Sequence, residues 1–207
     1  MITRDRFEEI KQKFGEVASF AVWAKAGDKP KSNIGDMSVF DLKTNPELLN
    51  KLNVNVIMVG LNFAREKGRE TLSEKLKNFH DSNPRGQDYK IRFAFENTPY
   101  YGAYMTDIIK NFVMLESGDV KKYLKTHKEF LLQNIRNFEK EIVDVGAVKP
   151  VLLAFGVDTY NILKENLNPE FYSKLVKLPH YSNRIGKEDY KNKVHEELGL
   201  WNFSRVF

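Results

Sequence analysis

Cysteine is missing from the 207-residue chain, which excludes disulfides and thiolate metal sites and fits a reducing compartment; a cytoplasmic location is expected. Long apolar runs are missing too. No stretch approaches the roughly 20 residues that a membrane-spanning helix needs. The charged start Met1-Ile2-Thr3-Arg4-Asp5-Arg6 lacks the apolar centre of a signal peptide. No membrane association is therefore expected. The chain also lacks internal repeats, low-complexity tracts, linkers and a glycine-rich phosphate loop. His80, His127 and His195 stand at no ligand-like spacing from carboxylates, so neither a metal nor a cofactor is expected.

What remains is an ordinary globular composition, 42% hydrophobic and 29% charged. The length suits one domain over residues 1–207, expected to be a monomer. Thirty-three bases against 28 acids leave a net charge of +5. Spread evenly, such an excess serves solubility; clustered round a cleft, it attracts phosphates. The 15 Phe and nine Tyr are mostly core material, with a few available to stack on bases.

Residues 54–64, Val-Asn-Val-Ile-Met-Val-Gly-Leu-Asn-Phe-Ala, read as a buried central strand that ends at a glycine and an amide. Continuous Val and Ile without strict alternation suit a parallel sheet covered on both faces. In open α/β sheets, ligands collect beyond the carboxyl ends of such strands. Before this run, Phe7, Ile10, Phe14 and Val17 predict a helix starting near Thr3, and residues 46–49 a short one. After it come a charged stretch (65–70), then Leu72, Leu76 and Phe79 at helical spacing, predicting a helix that ends near Phe79, and a polar loop over 82–88.

Residues 101–110 predict a second strand, with Asp107 inside it. A buried carboxylate is costly unless it is partnered. A single long helix is expected over 119–145, with Asp119 and Gly146 as caps. A third strand follows over 149–156, then a helix that Asp158 can cap, a short fourth strand over 175–178, and a last helix over about 188–198 stopping at Gly199. Alternating helices and strands describe a three-layer α/β/α sandwich around a small, mainly four-stranded parallel sheet.

Three of these strands end in polar motifs: Gly60-Leu61-Asn62; Tyr104-x-Thr106-Asp107 with Lys110; and His180-Tyr181-Ser182. In this order the set resembles the uracil-DNA glycosylase superfamily, whose motifs read Gly-x-Asn-Pro-Gly, Tyr-x-Thr-Asn-x-x-Lys and His-Pro-Ser. The resemblance covers roughly residues 50 to 198 and implies a monofunctional enzyme of DNA base excision repair that flips a deaminated or modified base and hydrolyses its N-glycosidic bond. It implies Asn62 and His180 as catalytic residues. Asp107, Phe79 and then Phe63 are implied for base recognition, and Ser182 with Asn183 for DNA phosphate. The partner would be single- or double-stranded DNA.

Such chemistry builds positive charge on the sugar and negative charge on the departing base. Asn62 would orient a water, and His180 would donate a hydrogen bond to the base carbonyl. The sequence departs from the family at Phe63-Ala64, at Tyr181 and at Asp107. An ionised carboxylate only accepts hydrogen bonds, so Asp107 would repel a uracil carbonyl and suit a base edge rich in N–H groups, such as cytosine's. A modified base, or a catalytically inactive nucleic-acid-binding module, is the alternative.

Overall fold

The computed structural model describes residues 2–63, 74–110, 112 and 117–200. The Val/Ile-rich run forms β2 (Asn53–Asn62), whose inner residues are buried on both faces. Around it lie β1 (Ser19–Phe20), β3 (Ala103–Ile109), β4 (Val151–Phe155) and β5 (Lys174–Leu178), in the spatial order β1-β3-β2-β4-β5. β3, β2, β4 and β5 run parallel, which is the expected four-stranded sheet. The two-residue β1 adds an antiparallel edge on β3, making the sheet mixed. It comes from the unpatterned apolar segment at 18–24, where nothing in the sequence marks a strand.

Seven α-helices are described: α1 (Arg4–Phe14), α2 (Leu48–Lys51), α3 (Tyr89–Phe95), α4 (Ser117–Thr126), α5 (Lys128–Asp144), α6 (Val157–Asn166) and α7 (Lys187–Leu198). One apolar cluster joins one face of the sheet to α1, α4, α5 and α6 through Phe7, Val120, Phe138 and Leu163. The other joins the opposite face to α3 and α7 through Ile91, Phe95, Tyr190 and Val194. Three layers result. Thr3 caps α1 by accepting the Arg6 N–H at 3.2 Å. Gly199 ends α7 in the left-handed conformation, φ 66°. No helix among the described residues is long and apolar enough to cross a membrane.

Several expectations about helices are corrected. The single helix over 119–145 is two, broken at His127 (φ −122°, ψ 61°). Local side chains crowd the Tyr123 carbonyl there: Thr126 Oγ1 donates to it at 3.1 Å, and His127 Nδ1 lies 2.9 Å away with its ring stacked on Tyr123. Such bonds compete with helix continuation. Asp119 and Asp158 sit in the first turns of α4 and α6 and do not cap them; the N-cap of α6 is Gly156. Residues 74–80 form no helix. Leu76 and Phe79 there adopt φ of 66° and 63°, values a right-handed helix cannot contain. Leu72, the charged stretch at 65–70 and Ala64 lie outside the described residues.

Candidate functional site

Register fixes the centre of the site. β2 and β3 pair Gly60 with Asp107 and Asn62 with Ile109. Alternation along β2 turns Gly60 and Asn62 to the same face of the sheet, so the amide stands one step beyond the glycine at the strand's carboxyl end. Gly60 has a steric reason. A Cβ there would overlap Asp107 Oδ1 and lie 3.3 Å from Phe79 Cζ, so only glycine lets the carboxyl group and the ring meet over β2.

Asp107 is 4% exposed. Its Oδ2 accepts from Asn78 Nδ2 at 2.9 Å, and the same amide nitrogen donates to Val17 O at 2.8 Å. This is the partner that a buried carboxylate requires, and it leaves Oδ1 over Gly60. Burial raises the Asp107 carboxyl to about 6, against the lowering effects of Asn78 and Lys110. A second buried carboxylate, Asp88, accepts the Asp81 N–H at 2.9 Å. Burial pushes it up to about 7, and the charges of Asp81 and Asp107 push the same way.

Phe79 is buried, with its ring 6.2 Å from Phe155 and 6.3 Å from Tyr181. Its left-handed backbone is strained for a residue with a side chain and is held on both sides. Trp23 Nε1 donates to Phe79 O at 3.2 Å. The two ring nitrogens of His80, fully buried, lie 2.9 Å from Asn78 O and 2.9 Å from Val22 O; the neutral ring donates to one of these carbonyls. His80 thus fixes the segment that presents both Asn78 and Phe79.

His180 follows β5 and packs against Gly156, whose φ of 89° strains any residue with a side chain and where a Cβ would lie 3.3 Å from the imidazole. Ser182 holds the ring. Its backbone N–H donates to His180 Nδ1 at 3.2 Å, and its hydroxyl lies 2.8 Å from the same atom. An amide N–H can only donate, so Nδ1 carries a lone pair and the proton resides on Nε2. Burial lowers the His180 pKa, which favours the same neutral form. The imidazole lines a cleft of about 610 Å³ together with Leu61, Gly156, Ser182, Lys177 and Lys193.

Tyr181 links the two halves. Its ring stacks on His180 at 4.5 Å and meets Phe155 edge-on at 5.4 Å, as it meets Phe79. Asp107, Phe79, Tyr181 and His180 therefore form one contiguous set at the carboxyl edge of the sheet, with Asn62 on the central strand. Asn183 is exposed. Its carbonyl accepts from Lys90 Nζ at 2.9 Å, which ties the loop after β5 to α3. Phe63 is buried at the end of β2, where its N–H donates to Ile109 O.

The second-strand motif divides between the two faces of β3. Tyr104 and Thr106 both donate to Glu141 Oε1 at 2.8 Å, and Lys110 pairs with Glu141 Oε2. Their network anchors β3 to α5 on the face away from Asp107. Sequence reasoning missed Glu141, although it interrupts the apolar stripe of Ile135, Phe138, Ile142 and Val145. It also missed Asn78 and Asp88, which carry no motif.

No protein-family model matches this chain, and no curated protein aligns with it significantly.

Proposed function

We propose that the chain is a glycosylase of the uracil-DNA glycosylase type, hydrolysing the N-glycosidic bond of a flipped, modified base in DNA. The observation that supports this best is His180. It is a neutral imidazole, held by Ser182 with its proton on Nε2, on the same strand-end edge as Asn62 and Asp107.

In this reading the base lies beside Phe79. Asn62 orients the attacking water, and His180 Nε2–H donates to the base carbonyl, where negative charge grows as the bond breaks. Ser182 acts through His180 by fixing its tautomer, in place of the phosphate role implied by the family motif. Asp107 Oδ1 reads the base edge and, when ionised, favours an amino group over a carbonyl.

The test uses the protein in excess over single- and double-stranded oligonucleotides carrying uracil, cytosine, methylated cytosines, hypoxanthine or xanthine. Abasic sites are then cleaved with alkali. Strand breaks at one modified base are expected; intact strands for every base, with DNA bound, would reject hydrolysis. One observation favours a second reading, a nucleic-acid-binding module without activity: Tyr181 packs on Phe79 and Phe155, where a flipped base would have to lie. DNA binding without abasic product supports that reading.

A further inference from the structure

Two carboxylates, Asp88 and Asp107, are buried near Tyr181. Among the described residues neither Asp88 nor Asp107 forms an ion pair. Lys110, the nearest cation to influence Asp107, is bound by Glu141 on the far face of β3. The charge of Asp107 bears on Asp88, and both charges raise the pKa of the Tyr181 phenol; Asp107 Oδ1 lies over Gly60 beside the Phe79 ring, which Tyr181 meets edge-on.

A third group converges from α7. Tyr190 is fully buried, its hydroxyl has no hydrogen-bond partner among the described residues, and it lies near enough to Tyr181 to raise that phenol's pKa. An unpartnered hydroxyl in a packed interior is costly and points to a missing partner. The surrounding walls are the rings of Phe79, Phe155 and Tyr181. Aromatic faces with uncompensated buried carboxylates are the surroundings that stabilise an organic cation. A metal is a poor occupant, because among the described residues no three His, Cys, Asp or Glu side chains converge on one point.

We propose that this interior accepts an amino-bearing heteroaromatic ring that is cationic at neutral pH, the class to which a ring-nitrogen-alkylated cytosine belongs, and that Tyr181 is the side chain that moves aside to admit it. The proposal rests on the glycosylase reading and gives its substrate a class. Positive charge separates a damaged base from ordinary cytosine, which presents the same amino group to Asp107 but brings no charge to offset Asp88. Such a base keeps the carbonyl that His180 Nε2–H would meet. When its glycosidic bond breaks, the electron pair leaves with the base and cancels its charge, so for this class His180 Nε2–H meets a carbonyl that gains electron density on a base leaving neutral and not as an anion. Water adds its oxygen to the sugar carbon and releases a proton to solvent.

The experiment compares two ring-methylated probes of the same shape by isothermal titration: dimethylcytosinium, which is cationic, and dimethyluracil, which is neutral. Each is methylated on both ring nitrogens and titrated into the wild-type chain, Tyr181→Ala, Asp88→Asn and Asp107→Asn. The cation is expected to bind at least tenfold tighter than the neutral ring to both wild type and Tyr181→Ala, and tighter to Tyr181→Ala than to wild type. Either Asn variant should erase most of the preference. Equal affinity for the two probes, a preference that survives both Asn variants, or no binding to either wild type or Tyr181→Ala would overturn the proposal. Because the probes carry no sugar, these outcomes are independent of strand cleavage. Excision of a neutral base without cation preference refutes the substrate class alone, and cation binding without excision refutes the glycosylase reading alone.

Discussion

Replacing Asp107 with Asn tests the electrostatics of the site without any substrate. The wild-type carboxyl is raised from 3.8 to about 6 because burial outweighs the Asn78 hydrogen bond and the charge of Lys110. A shift of roughly 2 units corresponds to about 3 kcal/mol. The sign follows from proton uptake. The folded chain holds this proton more tightly than the unfolded chain, so stability is lost as pH rises from about 4 through about 6, and the full cost is present above that. In Asp107→Asn the amide oxygen still accepts from Asn78 Nδ2, but nothing ionises. Relative to wild type, the variant should therefore gain up to about 3 kcal/mol between pH ~4 and pH ~8. Asp88 remains in both proteins, and because the charge of Asp107 raises its pKa, removing that charge relieves Asp88 at high pH in the same direction. Urea unfolding of both proteins at the two pH values measures the difference. A stability difference that is the same at both would show that Asp107 is not a desolvated acid, and the base-reading role assigned to Oδ1 would fall with it.

Further substitutions test the scaffold around the site. Glu141→Ala strands Lys110, Tyr104 and Thr106 and should destabilise the fold by about 3–5 kcal/mol; Glu141→Gln, which keeps an acceptor, should cost clearly less in the same denaturation assay. Gly60→Ala drives a methyl group into the Asp107 carboxyl and the Phe79 ring and should cost about 1–3 kcal/mol, and an unchanged midpoint would contradict the close approach. Ser182→Ala removes one of two contacts to His180 Nδ1 but keeps the backbone N–H. Nitrogen-15 NMR of the imidazole should still find the Nε2–H tautomer in that variant, and a switch to Nδ1–H would refute the assignment.

The central strands β2 and β4 were legible in the sequence because their Val, Ile and Leu runs are buried on both faces, and β4 and β5 are closed by Gly156 and Pro179. The edge strand was not, since Ser19–Phe20 is defined only by pairing with Tyr104 and Met105 of β3, a long-range contact with no local signature. The break at His127 was hidden for a related reason: the apolar periodicity of α4 and α5 runs in phase across it. Asn62, Asp107 and His180 were visible as polar residues at strand ends, and Phe79 as an aromatic near a loop. What orients them was not visible. Asn78 reaches Asp107 only because Leu76 and Phe79 adopt left-handed backbone, a conformation that their side chains disfavour and that tertiary contacts impose. Asp88 reads as the last residue of the polar loop over 82–88; the helix α3 that follows it was not expected, and only the fold brings Asp88 within the influence of Asp107. Ser182 was assigned to phosphate by motif, whereas its hydrogen bonds are to His180.

Single-turnover excision by wild type and His180→Ala, with the protein in excess over an oligonucleotide carrying one modified base, tests the central claim most directly. A base that yields alkali-labile strand breaks with wild type should do so at least a hundredfold more slowly with His180→Ala, consistent with the loss of one preorganised donor to a developing charge. Equal rates for the two proteins would contradict the role of His180, and intact strands with every modified base would contradict the glycosylase itself.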